Sequence, residues 1–370
     1  MQVAIVAPTP PYRSGLSYYV LYLYRNLGCR VEIITNRDSV VQDVVKAFTP
    51  GPTALFSVLA TLARRRPAVV HLQVEYAFLG SWLNFFLLPL ATLALRLLGA
   101  RTVATLHGVP TYRAVAHYLK NSVSPVLATP LAIVLTAAMR AAIALTYLVT
   151  DVVIVHTEAM RSALPLRRRA RVIPHGTYVP KAAASAKSGV YTIFTFGFLR
   201  KSKGLETLVK AVEELVKSGV AARLVIVGEP LARGVERGVA LPQLDFVHTY
   251  SRHVDDETLD RLIEEADVVV LPYEDLFHEV SGALHRVALF RKPVVCSNTP
   301  RFNSELTHGV DALLFPPGDY RTLARHLSAL RDPQLAAALA QRLYDKFRDK
   351  TWRDVAKLHE ELYRQLGGCV

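Results

Sequence analysis

Arg200 and Lys203 lie in a short basic loop, Arg200-Lys201-Ser202-Lys203-Gly204, between two stretches of opposite periodicity. Before it, Thr192–Phe196 is β-branched and aromatic, reads as a buried strand, and ends at Gly197. After it, apolar residues recur at Leu205, Leu208, Val209, Val212, Leu215 and Val216, the spacing of a helix with one buried stripe. A strand, a glycine-bounded loop and a helix make an anion site. First-turn N–H groups and the positive end of the helix dipole look out past the strand's carboxyl end. Two fixed cations there suit a diphosphate. Taken alone, the same loop also suits a solvated basic turn.

The rest of the chain supplies the frame for such a site. Apolar runs of strand length fall at Gln2–Ala7, Val31–Thr35, Ala68–Gln73, Arg101–His107, Asp151–His156 and Ala170–Ile173, with helical stretches between them. Beyond residue 190, strands are expected at Thr192–Phe196, Arg223–Val227, Phe246–His248, Val268–Leu271, Val294–Ser297 and Leu313–Phe315. Alternation of this kind predicts parallel sheets in an α/β fold, with functional groups at the carboxyl ends of the strands. Gly15, Glu75, His107-Gly108 and His156-Thr157 fall at such ends, and Ser281-Gly282-Ala283-Leu284 opens a helix directly after a strand and loop. The segment 179–189 is small, polar and unpatterned, a linker between domains at 1–178 and 190–347. Residues 348–370 form a last helix.

Composition narrows the function. The net charge is +13, and it is one-sided. Residues 1–178 hold 18 Lys and Arg against 6 Asp and Glu, whereas the remainder holds 26 against 25. A basic first domain points to an anionic partner. Arg64-Arg65-Arg66 and Arg167-Arg168-Arg169 are its clusters. Interleaved surface aromatics and any known nucleic-acid module are missing, so nucleic acid is disfavoured. Three scattered cysteines, Cys29, Cys296 and Cys369, without ligand spacing argue for a reducing compartment and against a disulfide framework or structural zinc. The N-terminus reads as a strand with no signal peptide, so a cytoplasmic protein is expected. Trp82–Leu98 and Val126–Val149 are strongly apolar, but Pro89, Pro130 and Arg140 interrupt them. They read as crossover helices packed on the sheet, with an apolar face that touches a bilayer as the alternative.

No GxGxxG follows a strand and no GxxxxGK[ST] occurs, which leaves dehydrogenases and P-loop NTPases weakly supported. The chain resembles the GT-B-fold glycosyltransferases of family 4, retaining and metal-independent, along essentially its whole length. The resemblance rests on GFLRKSKGLETLVKAV at Gly197–Val212, TLHG at Thr105–Gly108, VIPHG at Val172–Gly176 and ADVVVLPY at Ala266–Tyr273. RKPVVCSN at Arg291–Asn298, NSELTHGVDALLFPPGD at Asn303–Asp319 and WRDVAKLHEELYRQL at Trp352–Leu366 continue it in the same order.

This resemblance implies two Rossmann-like domains facing a central cleft, with the C-terminal helix packing back on the first. It implies sugar transfer from a nucleotide-diphosphate sugar to an acceptor, without cofactor or metal, and the one-sided basic charge points to an acceptor that is phosphorylated, lipid-linked or membrane-embedded. Lys203, with Arg200, would hold the donor diphosphate, and His107 would sit beside the donor sugar. Glu279 would hold donor-sugar hydroxyls, and Ser281, Gly282, Ala283 and Leu284 would offer backbone N–H groups to the phosphates. Gly15 would let the first loop approach the donor. Two departures stand out. Phe198 replaces the arginine that usually follows the loop glycine, and Val287 stands where a second glutamate, eight beyond Glu279, would bind the ribose. The second departure keeps open a non-catalytic protein that binds a nucleotide-sugar or scaffolds other transferases.

Overall fold

The computed structural model describes residues 2–368 apart from 121–123, 167–169, 182–188, 230–242, 253 and 275. The Arg167-Arg168-Arg169 cluster and most of the expected linker therefore lie outside the described residues.

The chain divides into two compact units. The first comprises the chain up to Gly176, the short stretch Phe277–Val280 and the chain from Trp352 on. Its sheet runs β3-β2-β1-β4-β5-β7-β8, all parallel. The strands are β1 (Val3–Val6), β2 (Val31–Asn36), β3 (Val45–Phe48), β4 (Val69–Val74), β5 (Arg101–Leu106), β7 (Val152–Val155) and β8 (Ala170–Val172). Six were expected. β3 escapes periodicity because only its last two residues are buried and it pairs with β2 alone, across a register shift.

One face of this sheet is covered by α1 (Gly15–Asn26) and, from the end of the chain, α13 (Trp352–Gln365). Trp352 anchors α13, lying edge-on to Tyr19 at 5.1 Å and stacked on Tyr22 at 5.6 Å between ring centres. Gly176 has to be glycine, because a Cβ there would overlap the Trp352 indole. The other face carries α2 (Ala54–Arg65), α3 (Trp82–Leu97), α4 (Tyr112–Lys120), α5 (Pro125–Val149) and α6 (Glu158–Ala163).

α5 differs from the buried crossover expected of it. It packs on α3 and α4 as an outer layer. Only 39% of its most apolar 18-residue window is buried. Val126, Leu127, Val134 and Leu148 are exposed, as are Leu90 and Leu97 of α3 and Phe56 of α2.

A two-stranded antiparallel ladder joins β6 (Gly108–Val109) to β13 (His278–Glu279), with Glu279 opposite Gly108. The chain thus leaves the second unit for four residues and returns. For that reason Glu279, read from sequence as part of the second domain, belongs with the first.

The second unit has a parallel sheet in the order β11-β10-β9-β12-β14-β15. These strands are β9 (Tyr191–Phe196), β10 (Ala222–Val227), β11 (Val247–Tyr250), β12 (Val268–Leu271), β14 (Val294–Ser297) and β15 (Leu313–Phe315). α7 (Leu205–Lys217), α11 (Tyr320–Ala329) and α12 (Pro333–Phe347) contribute to the core on one face. α8 (Asp256–Glu265), α9 (Gly282–Val287) and α10 (Pro300–Asn303) follow β11, β13 and β14 in the chain.

One expectation fails outright. Cys29 is disulfide-bonded, while Cys296 is free and buried in β14. Three scattered cysteines carry no spacing signal for a lone bridge, and the cysteine argument for a reducing compartment falls with it.

Candidate active site

In the second unit the basic loop is built as a tight plug against the end of β12. Lys201–Lys203 forms one 3-10 turn, and Gly204 follows in the left-handed region at φ 63°. Glycine is required at this position, since a Cβ would overlap the Pro272 carbonyl oxygen. Glu274 ties the two segments together: its N–H donates to Ser202 O at 2.8 Å and its carboxylate accepts from Thr207 Oγ1 at 2.9 Å. α7 starts at Gly204 with no side chain capping its first N–H groups, which leaves its positive end open.

Lys203 Nζ sits 3.3 Å from the centre of the Tyr273 ring, and Arg301 Cζ lies 5.6 Å from the same centre. Measured from one ring, the two charges are no more than about 9 Å apart. Ser297 Oγ donates to the Tyr273 carbonyl and holds the ring's backbone in place. Arg200 is half-buried, and its Nε has no hydrogen-bond partner among the described residues. The loop therefore gathers positive charge at a strand's carboxyl end.

The first unit holds a second group of candidate side chains, and it is rich in histidine. His71 and Gln73 point to one face of β4, Thr105 lies beside them on β5, and His107 follows β5. His107 Nε2 lies 2.8 Å from Gln73 Oε1, and its Nδ1 lies 3.2 Å from His156 Nε2. His156 Nδ1 donates to Ile173 O at 3.0 Å. Deeper in, His71 bonds to the Tyr363 hydroxyl at 2.6 Å and to Thr105 Oγ1 at 2.7 Å. Burial, reinforced by the neighbouring histidines, holds His71 and His107 well below the ordinary imidazole range. Burial likewise takes His359, stacked on His71, down to about 4. The described residues contain no group of three or more His, Cys, Asp and Glu placed to hold a metal ion.

Residues 190–332 match the family model described as Glycosyl transferases group 1. Sucrose-phosphate synthase from Thermosynechococcus elongatus superposes at TM-score 0.74 with 19% identity, covering 99% of both chains. HepE from Anabaena, in complex with UDP-glucose, gives 0.72 with 15% identity over 99% of both. A trehalose-6-phosphate synthase, OtsA, gives 0.67 with 15% identity over 100% of both. The chain has the GT-B fold of these structures, and its segment 190–332 matches the glycosyltransferase family model. No curated protein matches it by sequence.

Within this fold the residues expected from sequence fall into two groups. Lys203, Arg200 and the Ser281 turn lie in the second unit; His107, Glu279 and Gly15 lie in the first. Gly15 opens α1, and a Cβ there would meet nothing within 4 Å, so packing does not demand glycine at this position. Ser281 caps α9 by accepting from Leu284 N at 3.2 Å. That cap corrects the expectation that Leu284 N–H is open to phosphate; within the turn, Gly282 and Ala283 keep that capacity.

His107 has both ring nitrogens engaged inside the first unit, by Gln73 and by His156. The missing second carboxylate has no stand-in on α9. Val287 is fully buried, and Arg286 is ion-paired to Asp260 and lies 3.3 Å over the Tyr178 ring. Tyr273, Arg301, Gln73 and Tyr19 were not singled out in the sequence. Gln73 had a signal, being a polar residue two positions after His71 in an otherwise apolar strand.

Proposed function

We propose that this protein is a glycosyltransferase that moves a sugar from a nucleotide-diphosphate sugar to its acceptor with retention of anomeric configuration. The observation that carries the reading is the set of cations around Tyr273, Lys203 and Arg301 with Arg200 in the adjoining loop, inside the matched segment. As the C1–O bond to the diphosphate breaks, negative charge grows on the leaving oxygen, and fixed cations stabilise that charge more than the ground state. The acceptor hydroxyl attacks C1 from the face the diphosphate leaves, and its proton passes to the departing phosphate oxygen. The products are a glycoside and a nucleoside diphosphate. The chemistry uses the chain's own cations and calls for no cofactor or metal.

The test is a thermal-shift panel of UDP-, GDP- and ADP-sugars on the purified protein. A bound donor raises the melting point according to its affinity, by about 2.7 kcal/mol of stabilisation at a hundredfold excess over Kd. If no nucleotide-sugar moves the transition, the donor site is misassigned. Val287 in place of a carboxylate favours a second reading, a nucleotide-sugar-binding or scaffold protein without turnover. That reading gains the field if a donor stabilises the protein but no nucleoside diphosphate is released.

The acceptor is proposed to carry phosphate or to sit in a membrane. Its support is the charge excess of the first half, together with neighbours whose names, sucrose-phosphate synthase and trehalose-6-phosphate synthase, contain phosphorylated sugars. The proposed membrane contact is made by α2, α3 and α5. These helices carry no acidic residue, and Phe56, Leu90, Leu97, Val134 and Leu148 are exposed while Arg64 and Arg65 end α2. An apolar face edged by arginines fits an anionic leaflet, such as the cytoplasmic one. Vesicles containing phosphatidylglycerol should pellet the protein. The triple variant Leu97→Glu, Val134→Glu, Leu148→Glu, all at exposed sites, should lose at least about tenfold in binding. Equal pelleting of parent and variant removes the contact.

A further inference from the structure

The hydrogen bonds around His107 admit only certain proton placements. Ile173 O can only accept, so His156 carries a proton on Nδ1. The Gln73 carbonyl oxygen likewise only accepts, so His107 carries a proton on Nε2 when that oxygen faces it. The remaining bond joins His156 Nε2 to His107 Nδ1 and needs a proton on one of them. All three bonds then coexist only if the pair holds one proton more than two neutral rings. Turning the Gln73 amide end over end removes the requirement. Gln73 Nε2 donates to His107 Nε2, His107 Nδ1–H donates to His156 Nε2, and both rings are neutral. The amide's two ends are alike in size, so the turn needs no new space.

We propose that Gln73 is the positioning residue for His107, with its two amide orientations matching the neutral and singly protonated states of the His107–His156 pair. Proton uptake from solvent and amide rotation are then one event. The turn is relayed inward, because the far end of the amide lies 3.1 Å from His71 Nε2, which also meets Thr105. Among the described residues, uncharged and imidazole groups face the pair. They are Tyr19 from α1, His71 from β4, His175 from the turn after β8, and His359 and Tyr363 from α13. Glu279 stands across the β6–β13 ladder from Gly108. Burial of this set favours the neutral state near neutral pH. The proposal rests on His107 taking part in sugar transfer, while the proton placement stands on the hydrogen bonds alone.

The experiment is imidazole ¹⁵N–¹H correlation on histidine-labelled protein, with His107 and His156 assigned through His107→Gln and His156→Gln. At about pH 7.5 the parent should show both rings neutral and protonated on Nδ1. A carboxylate only accepts, so Gln73→Glu should hold His107 protonated on Nε2 and raise the pair's titration by about two pH units. Gln73→Leu should leave His107 as a mixture of tautomers. With UDP-glucose as the probe, Gln73→Leu should lower kcat at least about tenfold while KM stays within about threefold. A parent His107 protonated on Nε2 at that pH, or a Gln73→Glu titration identical to the parent's, overturns the proposal. The parent spectrum decides even if a variant fails to fold. A shifted titration with unchanged turnover upholds the positioning and instead removes His107 from the transfer reaction.

Discussion

Lys203→Ala should abolish most turnover while leaving the protein folded. Loss of one fixed donor to a developing oxyanion costs about 10²- to 10³-fold in kcat, and a diphosphate held by few other charges sits at the upper end of that range. Folding should hardly notice, because Lys203 contributes a part-exposed contact with the Tyr273 ring, worth about 0.5–1 kcal/mol. Release of nucleoside diphosphate measures the first effect, and a denaturant titration without donor measures the second. The same variant should lose the melting-point rise that the parent shows with its donor. Turnover within about threefold of the parent would falsify the assignment of the leaving group to this loop. Lys203→Arg should restore only part of the activity, since a broad, planar guanidinium does not reproduce the compact ammonium over the Tyr273 ring.

Acid should unfold the first unit earlier than its carboxylates predict. His71, His107 and His359 have folded-state values pushed down by burial, His359 to about 4. In the unfolded chain each returns to about 6.5. The unfolded state therefore binds more protons between those limits, so stability is complete above about pH 6.5 and is lost as pH falls through the window. Each histidine contributes about 1.4 kcal/mol per pH unit, and three together about 4 kcal/mol per unit. Denaturant titrations between pH 7 and 5 measure this directly. A profile flat to pH 5 would remove the neutral buried cluster. His359→Leu should reduce the slope by about a third, and it should cost little near neutrality, because His359 Nε2 is buried with no partner among the described residues.

The basic loop was legible in the sequence because each local signal agrees with the tertiary structure. The strand ends in a glycine, the loop is basic, and the helix stripe from Leu205 to Leu215 is the buried face of α7. Both parallel sheets followed from alternation, except for β3, a half-exposed edge strand that has no stripe to show. The site in the first unit was harder to read. His107 could be picked out at a strand end, but its partners come from β4, from the end of β7, and from a helix more than 240 residues away. No spacing rule joins those segments. Glu279 was found by motif, yet its neighbours were not, because a two-residue ladder is too short to leave a pattern. Leu284 illustrates the opposite limit. A serine at a helix start reads equally as a cap and as the edge of a phosphate site, and only the Ser281 hydrogen bond tells them apart.

α13 has a consequence for how the polypeptide matures on the ribosome. The first unit is closed by residues translated after the whole of the second, from Trp352 onward, so Tyr19 and His71 lack their cover until then. Domains usually acquire structure in the order they emerge. Here the later-made unit can finish first, and the earlier one must wait, half-dressed, for the tail to come back to it.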